Sequence, residues 1–243
     1  MKLHQLHAQL RERLPDKAIF STDELKMALQ SCFPNAAEAT LSWRLSLLKK
    51  ENLIQQIARG QYSFDFKAEY DPEISLKTKR TANRIRSFCS YVPIAWDTTM
   101  LNALSDEQRP LNWIFVEVDR AELDEIFNQS IQFSKKLFAN PDRETIARYM
   151  IPVDEAIILI PRVSETPYIA HGEFSTLSIE GLLVNVYWHH DKFFRPAGFD
   201  IENIFKNALS QYKVNTAKLL RFATRRDKRI EIEQLLKTLK YEF

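Results

Sequence analysis

The sequence predicts an α+β protein in two parts, and three observations carry that reading. Residues 1–66 hold three helical patterns followed by a short hairpin; residues 67–81 are polar, with scattered charge and one proline; residues 82–243 mix strands and helices before ending in four consecutive helical patterns. A chain of 243 residues with 45% hydrophobic and 27% charged residues has globular composition and room for one large domain or two ordinary ones.

The first helix is expected over "MKLHQLHAQLRERL", where Leu3, Leu6, Leu10 and Leu14 recur at helical spacing and Pro15 stops the run. The second starts at "STDE". There the Ser21 side chain can accept the Glu24 backbone N–H while Glu24 reaches back, a capping box, and Leu25, Ala28 and Leu29 then face inward. Asn35 and Glu38 repeat that start signal for a third helix running to about Glu51, with Ala37, Leu41, Leu45 and Leu48 as its apolar stripe. "LIQQI" and "QYSF" read as strands around Arg59-Gly60, where glycine supplies the positive φ of a tight turn. Three short helices and such a hairpin make a winged helix-turn-helix unit.

Residues 67–81 are read as a linker and residues 82–243 as a larger α+β domain with a helical C-terminal end. In it "RIRSFCSYV", "NWIFVEVD", "AIILIPRV" and "PYIAHGEFSTL" read as strands, and "TTMLNALS" and "RAELDEIFNQSIQFS" as helices. Four further helices follow, in "SIEGLLVNVYWHH", "DIENIFKNALSQY", "NTAKLLRFATRR" and "DKRIEIEQLLKTL".

Composition removes several function classes. Only Cys32 and Cys89 are present, far apart and without a CxxC pattern, which argues against a disulfide scaffold or zinc ribbon and fits a reducing compartment. The four glycines, at 60, 172, 181 and 198, cannot form a P-loop or a GxGxxG turn, and neither GxSxG nor HExxH occurs. Neither a signal-type start nor an apolar run of about 20 residues is seen, so the expected location is the cytoplasm, away from membranes. A formal charge of +2 is too small to identify a nucleic-acid binder, so any such function rests on where the charge sits.

On the third helix, the side opposite the leucines carries Ser42, Trp43, Ser46, Lys49 and Lys50, with Arg44 nearby. Small polar residues let a backbone approach a groove closely, and lysines suit phosphates. Trp43 is expected to be partly buried against the wing. With Arg59 and Gln61 at the hairpin, these residues form the candidate surface for double-stranded DNA. Protein-interaction modules share the same helix and hairpin, so an interaction module is kept as an alternative.

A second basic surface is read in Lys218, Arg221 and Arg225, which share one helix face, followed by Arg226, Lys228 and Arg229. From Lys192 to Arg229 there are ten Lys or Arg against three acids, Asp200, Glu202 and Asp227. RNA or DNA could lie on such a stripe; the alternative is a solvated face paired with Glu231 and Glu233.

Two constellations raise an enzyme, a nuclease or nucleotidyltransferase. Glu117 and Asp119 alternate at the end of one strand, but no Gly is followed by Ser, and a solvent-facing sheet edge explains the pair better. His189 and His190 with Asp191 lie near His171 and Glu173. Adjacent helical histidines point about 100° apart and share a metal poorly, so core packing or a helix cap is expected instead. His4 and His7 have no acidic or sulfur ligand close by. No catalytic residue, metal or cofactor is assigned.

"LIQQIARGQYSF", followed by "STLSIEGLLVNVY" and "IFKNALSQYKVNTAKLLRFATRRDKR", resembles AbiEi-type antitoxins, the transcriptional regulators of type IV toxin–antitoxin systems that take part in phage defence. The likeness spans nearly the whole chain, and the chain departs from it at Gly181 and Asn185, where relatives often carry charged residues. The resemblance implies a non-enzymatic autorepressor whose N-terminal unit binds inverted repeats in its own promoter. It also implies that the C-terminal domain opposes a nucleotidyltransferase-type toxin without forming a stable complex, and that no cofactor is needed.

Overall fold

The computed structural model describes residues 3–14 and 19–239 of the chain. The helix stop assigned to Pro15 lies outside these residues. The chain begins with α1 (Leu3–Arg13), a two-residue strand β1 (Phe20–Ser21), α2 (Thr22–Cys32) and α3 (Glu38–Lys50), followed by the hairpin strands β2 (Gln55–Ala58) and β3 (Gln61–Ser63). The strands form a small antiparallel sheet of order β1-β3-β2. Leu6, Leu10, Leu25, Leu29, Leu41, Leu45 and Leu48 close one apolar cluster between the helices and this sheet.

The capping box of α2 is present: Ser21 Oγ accepts from the Glu24 backbone N–H, and the Ser21 N–H donates to Glu24 Oε2. For α3 the expected cap at Asn35 is not used. Its N-cap is Ala37, without a side-chain bond, because the chain turns at Phe33 to Ala36 and the Ala36 N–H donates to the Phe33 carbonyl. At the far end Asn52 takes a left-handed φ of 53°, and the Leu53 N–H returns to the Leu48 carbonyl, so α3 stops where the hairpin must begin.

The stretch expected to be a linker is seated rather than free. Ala68 pairs with Tyr212, its N–H donating to the Gln211 carbonyl and its carbonyl accepting from Lys213. From Leu76 the chain is helical as α4 (Leu76–Arg86), capped by Ser75. The expected strand at "RIRSFCSYV" is therefore the end of this helix and the turn after it. The reason is the helical spacing of Thr78, Thr81, Ala82 and Ile85, all buried, which outweighs the local β preference.

The larger body continues with β4 (Ile94–Asp97), α5 (Thr98–Asn102), β5 (Asn112–Val118), α6 (Leu123–Ser130), β6 (Leu137–Ala139), a short helix α7 (Arg143–Thr145) running into a π turn, and β7 (Glu155–Pro161). "PYIAHGEFSTL" is two strands, β8 (Tyr168–His171) and β9 (Phe174–Leu177), because Gly172 at φ 67° turns the chain back. The four C-terminal helices are α8 (Ile179–His189), α9 (Ile201–Gln211), α10 (Thr216–Arg225) and α11 (Arg229–Thr238), as the periodicity predicts.

The sheet is mixed, in the order β6-β7-β5-β4-β9-β8. β5 lies parallel to β7 and antiparallel to β4, and all but its first residue are buried, so both of its faces are covered. Ile19 and Ile57 of the N-terminal segment join the apolar cluster of this larger body, so one side of the β2–β3 hairpin is packed on it.

Candidate nucleic-acid interface

Buried Leu41, Leu45 and Leu48 fix the rotation of α3, and position 43 lies about 200° from both 41 and 45. Trp43 accordingly faces outward at 58% exposure and is not packed against the hairpin as expected. Ser46, Lys49 and Lys50 are exposed beside it. Ser46 Oγ donates to the Ser42 carbonyl at 3.1 Å, and Lys49 Nζ donates to Gln56 Oε1 at 2.8 Å, tying the end of α3 to β2. Arg44 turns aside: it is half-buried, with its guanidinium 3.7 Å from the centre of the Phe33 ring. That contact secures the α2–α3 corner and withdraws one cation from the expected set.

At the hairpin, Gly60 has φ 75°, and its carbonyl accepts from the Thr22 N–H at 3.0 Å, which anchors the turn to the start of α2. Arg59 is exposed at the turn, with no carboxylate partner among the described residues. Gln61 belongs to a different contact. Its Nε2 donates to Thr216 Oγ1 at 3.0 Å on α10, because this side of the hairpin leans on the larger body. The structure therefore leaves Trp43, Ser46, Lys49, Lys50 and Arg59 outward and takes Gln61 out of the proposed contact surface.

The C-terminal stripe is largely neutralised. Lys218 pairs with Glu180 at 3.1 Å, Arg221 with Glu165 at 3.4 Å, Lys228 with Glu231 at 2.6 Å and Arg229 with Glu233 at 2.8 Å, and Arg225 also holds Glu165. Glu165 and Glu180 reach the stripe from outside residues 192–229. Arg221, Arg225 and Arg229 still line, with Gln61 and Thr216, a cavity of about 720 Å³ where the hairpin meets α10.

Arg226 is not part of that surface. It is 5% exposed, stacked 4.5 Å from the Trp188 ring, and its Nη2 donates to Asn185 Oδ1 at 2.6 Å. Asn185 Nδ2 in turn donates to Glu117 Oε1 at 2.8 Å. Glu117 is fully buried on the central strand β5, which overturns its expected place at a solvent-facing edge. Burial pushes its carboxyl upward, opposed by Arg226 and Arg162. Asp119 lies beyond the strand, exposed, and its Oδ1 accepts from the Ala121 N–H at 2.8 Å. The two carboxylates thus have separate structural tasks.

His189 is buried among Phe115, Trp188 and Phe193, and burial, with Arg226 and Lys192 nearby, holds it well below its ordinary pKa. His190 Nε2 lies 3.3 Å from the Phe199 carbonyl. Among the described residues no three His, Cys, Asp or Glu side chains are grouped to hold a metal, and no helix is long and apolar enough to cross a membrane.

Residues 40–242 match a family of unknown function, DUF6577. No curated protein matches the chain.

Proposed function

The chain belongs to the DUF6577 family, and we propose that it is a DNA-binding transcriptional repressor whose first 66 residues act as a winged helix. In this reading α3 enters the major groove and the β2–β3 hairpin is the wing. The observation that carries it is the outward side of α3, where Trp43, Ser46, Lys49 and Lys50 are exposed opposite three buried leucines, with exposed Arg59 at the following turn. Ser46 permits close approach, the Trp43 ring can stack on a sugar or base, and the cations supply phosphate contacts. The sequence likeness to AbiEi-type antitoxins supports a narrower form, autorepression of an operon whose nucleotidyltransferase-type toxin the larger body opposes without a stable complex.

Replacing both Lys50 and Arg59 by Ala tests the assignment. Each phosphate contact contributes about 0.9 to the slope of log K against log salt, so the double variant is expected to bind duplex DNA less tightly, with a slope smaller by about 1.8. Fluorescence anisotropy over a salt series reads both quantities. An unchanged affinity and slope would remove the wing and helix end from the interface.

A further inference from the structure

A second electropositive site lies in the stretch that the sequence presents as a linker. Thr78, Thr81, Ala82 and Ile85 seat α4 on the body, and the hydroxyls of Ser75 and Thr78 donate to Asp97. On the flank of the helix beside that stripe, about 115° around from it, Lys77, Arg80 and Arg84 point outward at i, i+3 and i+7. At 1.5 Å per residue they span about 10 Å along the helix.

They border a cavity of about 540 Å³ whose other side carries Lys136, next to β6. Its floor is apolar, made by Phe133, Ala156 and Ile157, and a single carboxylate, Glu155, stands within it. Lys77 lies 2.8 Å and Lys136 3.6 Å from Glu155, so one acid is shared between two lysines. Arg80 has no carboxylate partner among the described residues, and Arg84 lies 5.0 Å from the centre of the Phe133 ring. Four cations therefore meet one acid, in contrast to the largely paired stripe on α10.

We propose that this groove binds a short stretch of single-stranded nucleic acid, with phosphates on Arg80, Arg84 and Lys136 and a base on the apolar floor. The roughly 10 Å span of α4's cations covers about three phosphate-to-phosphate steps at about 3.4 Å of rise per strand charge. The Arg84 guanidinium lies over the Phe133 ring and offers its outer face to a stacking base, and Glu155 can accept from an exocyclic amine. A lone phosphate or lipid headgroup would leave the floor and Glu155 unused, and a duplex keeps its base faces hidden. The site is separate from α3 and the hairpin, so it stands whether or not the duplex-binding proposal does.

The test is anisotropy of the full chain with 5′-labelled single-stranded RNA and DNA octanucleotides, with tripolyphosphate as competitor and duplex binding measured alongside. Arg80→Glu removes an exposed cation that has no carboxylate partner among the described residues, and a melting curve verifies that the variant folds. Salt-sensitive binding weakened about tenfold or more by Arg80→Glu, with duplex affinity unchanged, is the expected result. A preference between the two strands identifies which sugar the groove takes. The proposal is overturned if neither strand binds, if Arg80→Glu binds as wild type does, or if tripolyphosphate competes as well as an unlabelled strand.

Discussion

Replacing Arg226 by Ala is expected to destabilise the fold by about 3 kcal/mol, the scale for removing one partner from a buried charged network. For a chain of this size that is a fall of about 6–12 °C in melting temperature, readable by circular dichroism. The loss follows from the chain of bonds Arg226–Asn185–Glu117, which ties the C-cap of α10 to α8 and β5 and has no solvent to replace a missing member. Its pH dependence has a definite sign. Burial raises the Glu117 carboxyl above its unfolded value, so the stability tied to its neutral form is present below the unfolded pKa and lost as pH rises through the folded one. Without Arg226 that folded value rises further, so the variant's deficit should be widest at high pH and narrow in acid. A deficit that is the same at every pH would mean that Arg226 acts through packing on Trp188 and Phe222 alone. Replacing all three polar residues by apolar ones of similar size should recover most of the lost stability.

Gly181→Ala is the second large effect. A Cβ at this position would stand 2.3 Å from the Pro167 carbonyl oxygen and 3.2 Å from Leu177 Cδ2, and the first is backbone that cannot swing away. Alanine's better helix propensity offers about 1 kcal/mol in return. Overpacking outweighs it, and a net loss of about 2 kcal/mol is expected, or roughly 4–8 °C in melting temperature. A melting temperature that rises instead would show that α8 does not sit this close to the segment leading into β8.

Residues on α8 mark the limit of what local sequence conveys. Gly181 and Asn185 carry no local motif, and their reasons lie elsewhere in the chain: a carbonyl at Pro167 for one, Glu117 and Arg226 for the other. The same limit explains the C-terminal stripe. Periodicity shows that Lys218, Arg221 and Arg225 share a face, but not that Glu180 and Glu165 arrive there from other elements.

Local signals were legible where short-range chemistry decides. The capping box at Ser21, the leucine stripe of α3, the turn at Gly60 and the four C-terminal helices all follow from residues within one or two turns of each other. α4 was hidden because half of its buried stripe is threonine and its exposed face is nearly all cationic, the composition of a linker. β4 was hidden because four buried residues in a row carry no alternation. At the candidate interface, the outward positions of Lys49, Lys50 and Arg59 followed from helix rotation and turn chemistry. The engagement of Gln61 with Thr216, 155 residues away, did not.

The central claim is that α3 and the hairpin read duplex DNA, and the most direct measurement is a mobility shift of the full chain on DNA from its own upstream region. Wild type and the Lys50→Ala, Arg59→Ala double variant are compared at two salt concentrations against random duplex of equal length. A salt-sensitive shift that prefers the upstream DNA and weakens in the double variant is the expected result. No shift, or one indifferent to both DNA sequence and the two substitutions, would contradict it.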